Sequence, residues 1–483
     1  MESSVDLGTI APSPESPEPV TGSEPVFPLF SQPELKLSKS IIRSSLRAST
    51  LDGIFATVFS NIAGGVLLSN FLVELHANAI EVGMLASIPM VANLMQPFGA
   101  ILSDRTSSRH NYCLWIYVPA RLIWLLLLVG ISAFCWGRIE DHTLVIWTLA
   151  IVFVTHVYGA FGGASWLSWL AALVPKRLRG RYFSIRNSAA NLTCLISVPI
   201  AGWFVSTYAG GSIAGYGIVL LLGIIAGIVS IGFQYFMADV NPKKLTAAQG
   251  SVEQEFSLKS AIAAVAQDAN FVRFLIYFSV WMFAVNLSAP FFNFYMLNNL
   301  ALDVSWVTIY NSLTAGANLL MLIVWGKLAD RVGNRFLLLS VGVLVSIAPI
   351  LWLITSDNAL SIWLWLPLLH VFTGGTWAAI ELCNNNIQLS IVPLKNQSTY
   401  FAVAAAIAGV SGALGTTAGG FLAQFAHYGG LPGLFALSTV VRFVALVPLI
   451  FVQEAGGRSI REVLKTWVRS DSVPVDLELS KKP

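Results

Sequence analysis

Twelve apolar runs, each long enough to cross a lipid bilayer, constrain the fold of this chain more than any other feature. A helix needs about 20 apolar residues to span the hydrocarbon core. Charged residues make up only 11% of the chain, against roughly 25% in soluble domains. The sequence therefore predicts an all-α integral membrane protein with twelve transmembrane helices. The runs cover residues 50–75, 79–102, 112–135, 143–171, 187–208, 212–237, 271–297, 304–327, 335–355, 359–383, 398–425 and 432–452.

The longest break between runs divides the chain into two sets of six. It covers residues 238–270 and predicts a linker with a short helix over 257–268. On either side we expect an N-terminal six-helix lobe, residues 46–237, and a C-terminal six-helix lobe, residues 271–453. Residues 1–45 are rich in Pro, Ser and Glu, which is typical of a disordered tail. Residues 454–483 form the other tail, with a candidate surface helix at 460–468.

The positions of Lys and Arg predict the orientation in the membrane. With the N-terminus in the cytoplasm, the inner segments hold nearly all of the 28 bases, and the outer loops hold only Arg138. Cytoplasmic loops are enriched in Lys and Arg in this way. Residues 1–40 contain no apolar stretch of the kind found in a cleavable signal peptide. We expect a multi-pass protein of the cell (inner) membrane with both termini, both tails and the linker in the cytoplasm.

The sequence offers no motif for a metal, a cofactor or enzyme chemistry. None of the four cysteines forms a Cys-x-x-Cys pair, so neither a metal site nor a disulfide framework is indicated. The metalloprotease, nucleophile-elbow and phosphate-binding-loop motifs are also absent from the sequence. We expect no cofactor, no metal, no nucleic-acid partner and no enzymatic activity. The expected partners are the lipid bilayer and a small solute, and the expected state is a monomer.

The two halves repeat each other in sequence, which predicts two pseudo-symmetric six-helix bundles. His156 in span 4 is matched by His370 in span 10. Four pairs share one offset of 218 residues: Pro175 and Pro393, Tyr182 and Tyr400, Phe183 and Phe401, and Gly202 and Gly420. Parallel repeats with a binding site between them near the bilayer midplane are an architecture of transporters.

One short motif follows both span 2 and span 8. The second copy consists of Gly326, Leu328, Ala329, Asp330, Arg331, Gly333 and Arg335. The first copy contains Leu102, Ser103, Asp104, Arg105 and Arg109, with Ala100 and Ser107 in the glycine positions. By these motifs the chain resembles the major facilitator superfamily. The loop after span 4, with its Arg-Gly-Arg-Tyr-Phe sequence, resembles uncharacterised bacterial members.

The resemblance implies a secondary transporter with alternating access, in which spans 1, 4, 7 and 10 line the cavity. It also implies that Asp104 and Asp330 latch the lobes on the cytoplasmic side, and the alternative is a static cap of the loop. His156 occupies the place of an arginine common in span 4 of the family, and Gly159 that of a glutamine. Span 5 lacks the full antiporter signature, so drug–proton antiport is not supported.

Ionisable and polar side chains within the apolar runs are the candidate site residues, because such groups are costly in lipid. Glu381 is the clearest, since it could bind a proton or a cationic group, and a structural salt bridge is the alternative. His156 is the second candidate for proton coupling, with a neutral packing histidine as the alternative. The wider set of cavity candidates is Asn61, His156, Trp166, Trp281, Asn286, His370, Trp377, Glu381 and Asn384.

Three more charged residues fall in or near the spans. The resemblance places Arg121 and Arg442 on peripheral spans, where we expect them to brace other helices. An inward-facing Arg121 would instead favour an anionic substrate. Asp52 is expected at the membrane interface rather than at the centre.

Two functions from different classes remain open at this level. The first is a secondary active transporter that moves a small solute, with a proton as the candidate coupling ion. The second is a non-transporting relative that acts as a membrane sensor or assembly factor. Convergence of Glu381, His156 and Asn61 on one cavity would favour transport.

Overall fold

The computed structural model describes residues 38–106, 108–174, 179–240, 263, 265–392, 397–425 and 429–454. The first six spans are span 1 (Lys39–Ile62 and Gly65–Glu74), span 2 (Ala79–Asn93 and Gln96–Asp104), span 3 (Arg109–Leu122 and Trp124–Cys135), span 4 (Asp141–Leu173), span 5 (Arg179–Thr207) and span 6 (Ser212–Tyr235). The next six are span 7 (Ala269–Phe294, with a π-helical turn Tyr295–Asn299), span 8 (Val304–Val332), span 9 (Asn334–Leu351, with a 3₁₀ turn Trp352–Ile354), span 10 (a π-helical turn Ser361–Trp365 and Leu366–Ile391), span 11 (Gln397–Gln424) and span 12 (Gly430–Leu449).

Ten of these helices, within the part of the chain that the structure describes, are long and apolar enough to cross a membrane. Spans 2 and 10 are not among the ten, for different reasons. Span 2 breaks between Asn93 and Gln96, next to Pro97, which supplies no backbone N–H to the helix. Span 10 carries Glu381 and several amides, which lower its mean hydropathy. With these two, the twelve expected helices are present in the fold.

Exposed apolar side chains cover the outward faces of spans 3, 6 and 12. Leu126 and Val129 on span 3, Leu222 on span 6, and Val440 and Val444 on span 12 are each more than half exposed. A soluble protein rarely exposes so much contiguous apolar surface. These faces therefore contact lipid, which places the three spans at the periphery of the bundle.

Span 1 starts earlier than the sequence predicted. Its helix begins at Lys39, so residues 39–45, assigned above to the tail, are helical. The side chain of Ser38 caps this helix by accepting a hydrogen bond from the Ser40 N–H. The rest of the N-terminal tail, most of the 257–268 helix and the 460–468 helix lie outside the described residues.

Equivalent positions of the two halves make equivalent contacts. His156 Nδ1 lies 2.8 Å from the Val152 carbonyl oxygen, and His370 Nδ1 lies 2.8 Å from the Leu366 carbonyl oxygen. The repeated histidines thus form the same bond to the residue four positions earlier. This shared geometry agrees with the internal repeat read from the sequence.

Apolar packing joins the two halves on one side of the bundle. We call the side that holds Lys39 and Glu454 the termini side, and the opposite side the far side. One core cluster combines residues of both halves, such as Val82, Val205, Phe291 and Val307, and lies in the far-side parts of the spans. The other cluster, on the termini side, contains only residues of the second half.

Small residues bring spans of different halves together on the far side. A Cβ on Gly420 of span 11 would lie 3.0 Å from the Ala79 carbonyl oxygen of span 2. A Cβ on Gly202 of span 5 would lie 2.5 Å from Thr308 Oγ1 of span 8. Close approach of this kind is the usual reason for small residues at membrane helix contacts. The far side is therefore closed by two tight contacts between the halves.

We expect Gly420→Leu to open the far side, because the added side chain would collide with the backbone of span 2. Overpacking of this kind costs about 1–3 kcal/mol. A cysteine placed at Val152, which is buried on the far-side half of span 4, should then react faster with a membrane-impermeant maleimide. Gly232→Leu is the matched control, since a Cβ there meets nothing within 4 Å. Unchanged labelling in a folded Gly420→Leu protein would contradict this packing.

We expect Gly333→Ala to lower the thermal stability. Gly333 ends span 8 with φ +90° and ψ 147°, a conformation that costs a residue with a Cβ about 1–3 kcal/mol. Gly326→Ala is the control, because Gly326 is helical and its Cβ would lie no closer than 4.0 Å to Leu382. Alanine there should leave the melting temperature unchanged or raise it, since Ala favours helix over Gly. Equal melting of both variants would argue against a conformational role for Gly333.

Candidate functional site

One face of span 4 changes from packed to open at mid-depth. Val145, Leu149 and Val152 on this face are buried on the far side. Gly159 and Gly163, farther along the same face, would carry a Cβ with nothing within 4 Å. The face therefore borders an open space that begins near His156.

His156 presents one ring nitrogen to this space. A carbonyl oxygen only accepts hydrogen bonds, so the contact with Val152 requires the proton on Nδ1. In the neutral ring, Nε2 is then an acceptor, and the described residues offer it no hydrogen bond. His156 is half-buried. It can therefore accept a proton or a donor group of a solute at Nε2.

Glu381 is the most exposed ionisable group of the candidate set. It lies on span 10 and is exposed, and its Oε1 accepts a hydrogen bond of 2.9 Å from Trp377 Nε1. Within the described part of the chain no cation lies within ion-pair distance of its carboxylate. Trp377 and Glu381 are thus brought together as predicted, as a carboxylate oriented by an indole.

Asn384 turns away from these two residues. It is buried, and its Oδ1 accepts a hydrogen bond of 3.0 Å from the Tyr277 hydroxyl of span 7. Trp281 is also fully buried beside Tyr277, and its Nε1 has no hydrogen-bond partner among the described residues. The predicted polar face of span 10 therefore divides into an open half and a half packed on span 7. Asn384 and Trp281 contribute to packing in this conformation.

Asn61 and Asn286 lie near mid-depth on spans 1 and 7. Asn61 Nδ2 donates to Ser197 Oγ of span 5 at 3.3 Å. Asn286 Nδ2 donates to the Met282 carbonyl at 2.8 Å, and its side chain faces Gly412 of span 11. Both amides have a side-chain oxygen with no hydrogen bond among the described residues. Each is therefore anchored in its half and retains an acceptor.

His370 differs from its repeat partner in its surroundings. It is buried between Tyr310, whose ring centre lies 5.3 Å away, and Trp352, whose ring centre lies 5.4 Å away. This aromatic enclosure leaves no room for a solute at the imidazole. The neutral packing alternative, raised above for His156, fits the geometry of His370.

A buried charged group in the first half was not identified as a site by sequence reasoning. Asp52, expected at the interface, is 5% exposed, and its Oδ1 accepts a hydrogen bond of 2.6 Å from Ser230. Arg186 and Arg121 are the cations that interact with it electrostatically. The signal available in the sequence was one acid in the first apolar run with an arginine in span 3 and another in span 5.

Arg186 also explains the position of Trp166. Its guanidinium carbon lies 4.6 Å from the centre of the Trp166 ring. A Cβ on Gly53 would lie 3.1 Å from the same guanidinium. Because Gly53 has no side chain, the Arg186 guanidinium can lie against span 1 next to Asp52. The Trp166 ring thus makes a cation–π contact with Arg186, which covers the ring face that a solute would use.

Two arginines within the spans act as braces. Arg121 stacks over the Phe59 ring of span 1 at 4.0 Å. Arg442 is buried and donates to the Val345 carbonyl at 2.9 Å and to Ser288 Oγ at 3.0 Å. Arg442 therefore links span 12 to spans 9 and 7. These contacts agree with the bracing role implied by the resemblance.

The two Asp-Arg motifs lie on the termini side. Arg105, Asp330 and Arg331 are exposed, and the Asp104 side chain lies outside the described residues. The loop after span 8 is fixed within its own half, where Glu454 accepts hydrogen bonds from the N–H groups of Asn334 and Arg335. No ion pair that involves Asp330 or Arg331 is present in the described residues.

A hydrogen bond links the two halves on the far side. Ser206 Oγ, at the end of span 5, donates to Asp303 Oδ2 at 2.5 Å. Burial alone would raise the pKa of the Asp303 carboxyl, but hydrogen bonds from Ser206 and Ser305 outweigh it and lower the pKa. Asp303 thus remains ionised and reinforces the closed far side.

The described residues contain no group of three His, Cys, Asp or Glu side chains that could hold a metal ion. The arrangement instead offers one oriented carboxylate, one imidazole nitrogen and amide acceptors, with indole rings nearby. The carboxylate and the imidazole can take up a proton, and all of these groups can form hydrogen bonds with hydroxyls and amines of a solute.

Solved transporter structures share this fold at low sequence identity. A D-xylose–proton symporter is 16% identical with a TM-score of 0.63, over 87% of this chain and 100% of that one. A bacterial homologue of the iron transporter ferroportin, in an inward-facing state, is 13% identical with a TM-score of 0.62, over 86% and 99%. The nucleoside transporter NupG is 13% identical with a TM-score of 0.61, over 85% and 98%.

Sequence comparison gives the family. No curated protein matches this chain significantly. The sequence model of the Major Facilitator Superfamily matches residues 53–416. This match covers well over half of the chain, and it agrees with the motif after span 8 and with the fold. The chain therefore belongs to the Major Facilitator Superfamily of membrane transporters.

Proposed function

We propose that this protein is a secondary active transporter that moves a small polar organic solute by alternating access between its two six-helix halves. The observation that carries the proposal is the asymmetry of the bundle. The far side is closed by contacts between the halves, whereas the faces of spans 4 and 10 open at His156 and Glu381 toward the termini side. With both termini in the cytoplasm, as the distribution of Lys and Arg predicts, this state would be inward-open.

The gating motifs support alternation of this kind. The exposed Asp330 and Arg331, and the space beside Gly326, all lie on the open side. In the opposite state, closure of that side would bring these residues against the other half. Asp104 and Asp330 would then form their latching contacts with arginines and helix ends. We infer that the motif after span 8 is unlatched in the state described here, since no ion pair of Asp330 or Arg331 is present in the described residues.

We infer the solute class from the candidate groups on spans 1, 4, 7 and 10. Amide side chains, one carboxylate and an indole suit a neutral or cationic molecule with several hydrogen-bonding groups. The names of two structural neighbours, a nucleoside transporter and a D-xylose–proton symporter, fit that chemistry. The proposed driving force is an ion gradient, since the sequence has no phosphate-binding loop. A proton is the proposed coupling ion, with Glu381 and His156 as its sites.

Uptake by purified protein in liposomes tests this function. The panel contains nucleosides, pentoses, small amines and amino acids, each supplied with and without an imposed proton gradient. Gradient-dependent accumulation of one class is the expected result. No accumulation or exchange of any member, by protein that is folded and oriented, would instead favour the non-transporting sensor or assembly factor.

We expect Glu381→Gln to reduce gradient-driven uptake at least about tenfold, because it removes a charge-assisted contact of about 1.5–3 kcal/mol. Exchange of solute in the absence of a gradient should persist if Glu381 carries the proton. Asp357→Asn is the control, since Asp357 is exposed in the far-side loop before span 10. A Glu381→Gln protein with full uptake and unchanged pH dependence would remove Glu381 from the mechanism.

The two repeated histidines provide a matched pair of variants. His156→Gln should reduce transport and leave the melting temperature nearly unchanged, because Nε2 faces the open space. His370→Gln should lower the melting temperature, because it removes a ring packed on Tyr310 and Trp352, and the expected loss is about 1–3 kcal/mol. The reverse pattern would place the functional histidine on span 10.

A further inference from the structure

A groove between span 1 and span 6 opens on the termini side, away from the site described above. Its volume is about 540 Å³, and it lies between the first turns of span 1 and the end of span 6. Arg43 and Arg47 line it on one side, and Phe233 and Phe236 on the other. None of the residues proposed for transport lines this groove.

The upper part of the groove is cationic. Arg43 and Arg47 are four residues apart, so they lie one above the other on the same face of the helix. Both are exposed, and in the described residues neither guanidinium is within ion-pair distance of a carboxylate. Ser40 adds a hydroxyl at the same level. Two unpaired guanidinium groups one turn apart can bind one phosphate through several hydrogen bonds.

The lower part of the groove is apolar and held in place. Leu51, one turn deeper than Arg47, is 40% exposed, which is expected of a side chain in contact with lipid tails. Phe236 is 74% exposed but lies nearer the termini side, at the level of the arginines, because the Ala238 N–H two residues later donates to Ser45 Oγ at 3.0 Å. Phe233 is fixed by Phe55, whose ring stacks on it with centroids 5.7 Å apart. The groove therefore has a charged end and an apolar end, in the order in which a phospholipid presents its phosphate and its acyl chains.

We propose that this groove binds an anionic phospholipid of the membrane leaflet on the termini side. Arg43 and Arg47 hold the headgroup phosphate, and an acyl chain lies along Leu51 and Phe233. A soluble anion would use the arginines and leave the apolar wall uncovered, so the lipid matches more of the groove. Anionic lipids attract basic segments next to membrane helices by about 1 kcal/mol for each Lys or Arg.

Lipid retention measured by native mass spectrometry on the full-length protein tests the proposal. The probes are phosphatidylglycerol and phosphatidylcholine with identical acyl chains. We expect preferential binding of phosphatidylglycerol, weakened about fivefold by Arg47→Gln and about thirtyfold by Arg43→Gln with Arg47→Gln. Arg138→Gln removes the same charge on the far side and should change nothing. Equal retention by the double variant and the unaltered protein would overturn the proposal.

Two further measurements distinguish the lipid from other occupants. Inorganic phosphate should stabilise the protein far less than phosphatidylglycerol does, and equal stabilisation would mean that the groove binds only a free anion. In the second, the acidic residues of segment 1–34 are neutralised in the full-length chain. Lipid affinity should stay the same. A large rise that depends on Arg43 and Arg47 would show that this segment occupies the groove, and would overturn the assignment.

Discussion

Every other feature of this structure depends on the requirement that backbone polar groups in a bilayer be satisfied without water. Helices meet that requirement one by one, and they then associate through close packing because lipid offers no hydrophobic penalty for separation. Glycine provides that packing here. Gly419 of span 11 lies against the backbone of span 7 within one half, whereas Gly420 lies against span 2 of the other half. Neighbouring glycines of span 11 therefore allow close packing within the second half and close contact between the halves on the far side.

The polar groups within the spans divide by whether they have a hydrogen-bond partner on a neighbouring helix of their own half. Arg442, Asn384 and Asp52 have hydrogen bonds to neighbouring helices of their own half. They hold the lobe together and compensate for their own burial. Glu381 and the Nε2 atom of His156 lack such partners among the described residues. The groups that stay available are thus the ones on the open faces of spans 10 and 4.

The sequence was sufficient for the helix count, the repeat and the family, because each depends on a pattern that extends over many residues. The site was harder to predict from the sequence. Helical spacing placed Asn384 with Glu381, but a small difference in angle turns Asn384 toward Tyr277. His156 and His370 are equivalent in sequence, but His156 is half-buried, whereas His370 is enclosed by Tyr310 and Trp352. Asp52 was missed because its partners come from spans 3, 5 and 6, and periodicity along one helix carries no information about neighbours.

The proposed alternating access would give the open carboxylate of Glu381 a physical consequence. In the state described here Glu381 is exposed, so its charge has little desolvation cost. In the proposed closure over the termini side the carboxylate would enter a drier space, and the described residues place no cation within ion-pair distance of it. Burial of an unpaired charge costs several kcal/mol, and a proton or a cationic solute would remove that cost. The proposed closure is therefore favoured only when Glu381 is neutralised, which is the property that couples a conformational change to a bound ion.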